Sequence, residues 1–186
     1  MTHTETPLSR WMLQIENAGL LDAGVGLVRP VVKAVTSNDT VRGLLQGRWL
    51  GHAAHPIVVV APLGFWMSAG LLQASGLPDA ERPVQVLTGA GILCALPAAM
   101  TGLAEIANAD ERGKRVGVVH ATLNVAALGM QAASWLAGRR GRSGRSRLYS
   151  LGGLGLAGAG GYLGGHLSVA RKVGSRDPVF TTAPAS

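Results

Sequence analysis

The chain has 186 residues, of which 47% are apolar and only 15% charged, with 27 glycines and a net charge of +7. Soluble domains carry roughly 25% charged residues, so this composition argues against a free water-soluble globule. All 17 basic residues fall before Trp49 or beside and between the apolar runs, as flanks of membrane helices do, which argues against a nucleic-acid partner.

Residues 1–48 read as an interfacial amphipathic segment. Leu8, Trp11, Met12 and Ile15 recur at helical spacing, and so do Leu20, Leu21, Leu27, Val28, Val31 and Val32, with Gly24 on the same face. Pro30 is expected to interrupt, and Ser37-Asn38-Asp39-Thr40 to form a turn or N-cap. Met1 to Trp11 lacks the basic-then-apolar layout of a signal peptide. The 48 residues are too few and too broken to bury much of a core, so short helices lying on the membrane surface are expected.

Residues 49–170 hold four stretches without Asp, Glu, Lys or Arg: 49–78, 83–104, 116–138 and 148–170. Each exceeds the ~20 residues of a spanning helix. The predicted fold is all-α, an up-down four-helix transmembrane bundle. Trp49 to Pro56 opens the first run and carries His52 and His55, three apart, as neighbours on one helix face do. Pro56 suits a first helical turn, and Pro62 should kink the span. The second span carries Pro97, Thr101 and Glu105. In the third, His120, Asn124 and Gln131 form one polar stripe. A basic turn from Arg139 to Arg147 follows. In the fourth, Gly153, Ala157, Gly161 and Gly165 repeat every four residues, a ridge that lets a second backbone approach. Gly153-Leu-Gly155-Leu-Ala-Gly158 matches a dinucleotide fingerprint formally, but it follows no strand and lies in a membrane run. Residues 171–186 read as a short disordered tail.

Counting spans places His52, His55, Glu105, His120 and His166 in one layer at one membrane face, with only His3 outside it. Such histidines could be interfacial anchors. Polar side chains within spans usually face the bundle interior and pair, however. Imidazoles from facing helices are axial ligands for haem, so His55 and His120 are the expected primary pair, with His166 and His52 next. The same set with Glu105 as a ligand would suit Zn, Cu or non-haem Fe. Glu105 and Asn124 are otherwise expected to orient the ligands. Cys94 is alone, which excludes an intrachain disulfide and a Cys-based metal site. No span carries a midplane charge of the kind coupled transporters use.

The motifs Leu50-Gly51-His52-x-x-His55-Pro56, Pro62-x-Gly64-x-Trp66, Thr101-Gly102-Leu103-Ala104, Val119-His120-Ala121-x-Leu123-Asn124 and Gly160-Gly161-Tyr162-Leu163-Gly164-Gly165-His166 resemble a bacterial family of predicted four-helix membrane proteins of unknown function (domain of unknown function 2231). The resemblance covers about residues 41–167. Relatives often carry an acid after the first span, where this chain has Leu71-Leu72-Gln73. Some relatives carry a Rieske-type iron–sulfur domain, so the resemblance implies a redox role. Two functions are therefore expected: haem b-dependent electron transfer with an iron–sulfur or other redox protein, or an accessory subunit of a larger membrane complex. Neither is a stand-alone enzyme. The expected location is the bacterial inner membrane, with both termini cytoplasmic by a narrow margin of basic residues.

Overall fold

The computed structural model describes residues 6–180; His3 and residues 181–186 lie outside them. Among the described residues the protein is all-α, and its only extended pairing is an isolated bridge between His52 and Arg176. Three short helices precede the apolar part: α1 (Pro7–Asn17), α2 (Asp22–Thr36) and α3 (Asp39–Leu45). Thr6 caps α1 by accepting from the Ser9 amide, with Pro7 in the first turn, and Asn38 caps α3 through the Val41 amide, the capping chemistry that Thr and Asn favour. Pro30, expected to interrupt, lies inside α2. The residue whose carbonyl it would crowd is Gly26, where even an added Cβ would meet nothing within 4 Å, and α2 is held by packing on two of the long helices.

Four long helices follow: α4 (His55–Ser75), α5 (Glu81–Ile106), α6 (Glu111–Arg139) and α7 (Ser143–Gly165). The first three are long and apolar enough to cross a membrane. The fourth is long enough, but its nine glycines and the arginines at 145 and 147 dilute its apolar character. Helix α4 breaks for one residue at Val59, where Pro62 removes a hydrogen bond to the preceding turn. Pro97 is accommodated within α5. Helix α6 starts at Glu111, inside the expected polar loop, because Asp110 caps it through the Gly113 amide at 2.8 Å.

Each long helix packs on the next, and α7 closes on α4, so α4 and α6 stand across from one another. The interior is built mainly of small residues such as Ala69, Ala98, Ala104 and Ala127, with the polar Thr88, Gln131, Ser134, Ser146 and Ser150 buried beside them. Large apolar side chains such as Leu71, Leu93, Val125 and Leu148 point outward instead. An exterior more apolar than the interior suits lipid, since TM helix interfaces favour small and hydrogen-bonding residues. A conventional apolar core forms only at one end, where Met12 of α1 meets Val116, Leu163 and Leu167.

Within the segment expected as a disordered tail, the described residues 171–180 make defined contacts. After one wide turn at His166–Ala170, the chain crosses the open end of the helices. There it pairs with His52, hydrogen-bonds Glu105 and packs Phe180 beside Gly51.

Candidate functional site

The site begins with two glycines. Gly102 of α5 lies against the His55 ring, where a Cβ would meet Cε1 at 3.0 Å; Gly164 of α7 lies against the His120 ring at the same 3.0 Å. Each absent side chain makes room for an imidazole arriving from the neighbouring helix. His55 sits in the first turn of α4 and contacts the Ala98 carbonyl through Nδ1 at 3.0 Å, with Thr101 Oγ1 at 3.2 Å. His120, in the third turn of α6, contacts the Gly160 carbonyl through Nδ1 at 2.8 Å. A carbonyl only accepts, so Nδ1 carries the proton in both rings, and Nε2 of each keeps its lone pair. The rings meet edge to face, with centroids 6.3 Å apart and planes at 87°.

The polar stripe on α6 is present and faces α7. Asn124 donates to the His120 carbonyl at 2.8 Å and reaches His120 Nε2 at 3.2 Å. Farther along, Gln131 donates to the Ser150 carbonyl at 3.3 Å and Ser134 to that of Ser146 at 2.8 Å.

The other expected ligands do not join the pair. His52 lies outside the helix, exposed and bridged to Arg176, because Gly51 turns the chain left-handed (φ 78°) before α4 starts. His52 and His55 therefore do not share a helix face. His166 faces the buried Glu16 of α1, Nε2 to Oε1 at 2.7 Å, and Arg171 lies 3.6 Å from the other carboxylate oxygen. Glu105 accepts from the Ser175 amide at 2.7 Å and its hydroxyl at 2.9 Å. It neither holds an imidazole nor pairs with Arg112 or Arg115. Of the five groups, only His55 and His120 bring their rings together. Among the described residues no group of three or more His, Cys, Asp or Glu is placed to hold a metal.

The packing ridge on α7 is also corrected. Gly153 and Ala157 are buried, but a Cβ at Gly161 or Gly165 would meet nothing within 4 Å. The buried row runs through Gly153, Ala157 and Gly160, with the half-buried Gly164 next. A strict four-residue step gains about 40° per repeat on a helix of 3.6 residues per turn, so the row drifts off the contact unless a three-residue step restores it. Sequence reasoning missed Gly102, Gly164 and the two acceptor carbonyls as parts of the site. The glycines lay within the quoted motifs, whereas a backbone carbonyl leaves no mark in residue type.

A family model described as a predicted membrane protein (DUF2231) matches residues 51–177. The chain belongs to this family. No curated protein and no solved structure matches it. The DUF2231 match starts just before His55 and ends beyond the residues that close over Glu105, so both histidines and the C-terminal crossing belong to the family domain.

Proposed function

We propose that the chain is a small four-span, up-and-down membrane protein whose His55–His120 pair binds haem b and exchanges single electrons. The observation supporting this reading is the pair itself: two imidazoles from opposite helices, each anchored through Nδ1 and each keeping a basic Nε2. The ring centroids stand 6.3 Å apart with planes at 87°, within the edge-to-face range of about 4.5–7 Å, so the two imidazoles rest against each other.

The donor set favours haem over a bare ion. Structural zinc is bound by four protein ligands and catalytic zinc by three, and non-haem iron by a facial triad; this site offers two. Haem iron needs from the protein only its axial ligands. When bound, the group would supply one-electron chemistry, exchanged with an iron–sulfur protein or another membrane redox partner. The chain's part is to fix both ring planes through the Ala98 and Gly160 carbonyls and to keep the pair half-buried between the helices. Asn124 would have to yield Nε2 of His120, and it retains its bond to the His120 carbonyl when it does.

The bilayer reading places α4 to α7 across the bacterial inner membrane with both termini on one side, the cytoplasmic one. Reporter fusions at the two ends should report the same side, and opposite sides would rule out four spans. Haem content tests the site. His55→Ala or His120→Ala should lose bound haem and the Soret band of the purified protein. Folded, inserted variants that keep the parent's full haem content would show that the site is wrong.

A further inference from the structure

The two helical hairpins on either side of the histidine pair follow one pattern. Shifting α4 by 65 residues lays His55-x4-Val60-Ala61-x-Leu63-Gly64 on His120-x4-Val125-Ala126-x-Leu128-Gly129. The same shift carries the buried residues of α4, Pro62, Trp66 and Ala69, onto Ala127, Gln131 and Ser134, all buried in α6. A shift of 62 does the same for the second helices. Thr88, Gly91 and Ala98 of α5 fall on Ser150, Gly153 and Gly160 of α7, and every one is buried.

The contacts repeat as well, and they are independent of sequence identity. Trp66 lies against Gly91, and its counterpart Gln131 lies against Gly153, the counterpart of Gly91. His55 bonds the Ala98 carbonyl and rests on Gly102, one turn later; His120 bonds the Gly160 carbonyl and rests on Gly164, one turn later. A shared hydrophobic period could align two membrane helices by chance. It would not also reproduce which side chain meets which glycine and which carbonyl takes each imidazole.

We propose that the membrane domain is two copies of one helical hairpin, α4–α5 and α6–α7, and that the site between them consists of two equivalent half-sites, each giving one imidazole to an iron tetrapyrrole. This rests on the haem reading above and adds that the two axial positions are interchangeable. Each half-site is a histidine in an early turn of the hairpin's first helix, a carbonyl on its second helix, and a glycine four residues beyond. Asn124 at the place of Val59 and Thr101 at the place of Leu163, each 3.2 Å from a ring nitrogen, are the departures from equivalence beside the rings.

Cavity rescue tests this. The full-length parent, His55→Gly and His120→Gly are purified in detergent, loaded with haem and titrated with free imidazole. His55→Ala and His120→Ala serve as counterparts that keep helix propensity. The parent should be six-coordinate and low-spin. Both Gly variants, which lose haem on purification, should take it up again from excess added haem as five-coordinate, high-spin species, and imidazole should return both to the parent spectrum. If the parent binds haem but only one histidine variant changes its spectrum or is rescued, the half-sites are not equivalent and this inference falls while a haem site remains. If the parent takes up no haem, both readings fall.

Discussion

A methyl group added at residue 164 would meet the His120 ring at 3.0 Å, and one added at 161 would meet nothing. The difference decides which glycines of α7 matter. Gly164→Leu should force α6 and α7 apart and lower stability by about 1–3 kcal/mol, the usual penalty of overpacking. Gly161→Leu, on the outward face, should stay within about 0.5 kcal/mol of the parent. Unfolding in detergent measures both, and equal losses would contradict the packing described. At this scale the histidine pair was legible, because helix starts and span counting put His55 and His120 at matching depth on opposite helices. The partners of His166 and Glu105 were not. Glu16 and Ser175 come from the two terminal segments, 150 and 70 residues away in sequence, and no periodicity links such groups.

The N-terminal helices do more than lie on a surface. Arg115 of α6 grips Asp22 with two hydrogen bonds, 2.7 and 2.9 Å, and its third reaches the Glu16 carbonyl at 3.0 Å. Gly24 lets α2 come close to Val118, and Met12 enters the apolar core at that end. The outward faces still carry Leu20, Leu27 and Val31, all exposed, which suits the interfacial placement read from the sequence. Amphipathic spacing revealed the helices but not which part of the apolar stripe meets protein and which meets lipid, since both favour the same side chains. The Arg115 guanidinium holds the Asp22 carboxyl below its ordinary range. Such a group stabilises the fold above its unfolded-state value, about 3.9, and that stabilisation disappears as pH falls through the lower, folded-state value. Acidification below about pH 4 should therefore loosen α1 and α2, and Asp22→Asn should loosen them already at neutral pH. Hydrogen exchange across residues 6–36 measures this. Protection that is unchanged by acid and by the substitution would show that the ion pair does not hold the segment.

For the whole molecule, uncharged runs announced the long helices, and their apolar exterior over an interior of small and polar residues followed from the bilayer as solvent. The two-copy pattern was less visible, because lipid-facing positions drift freely among apolar residues and only buried positions keep the register. On the proposal above, His55 and His120 would hold one haem between them, with ring planes set by the Ala98 and Gly160 carbonyls. Those planes stand at 87° to each other. Electron paramagnetic resonance of the oxidised, haem-loaded protein reads that angle directly, because near-perpendicular axial imidazoles leave the iron d-orbitals almost degenerate. The expected spectrum is a highly anisotropic low-spin ferric signal, lost in His55→Ala and in His120→Ala. A purely high-spin signal, or a low-spin signal that survives both substitutions, would contradict the account.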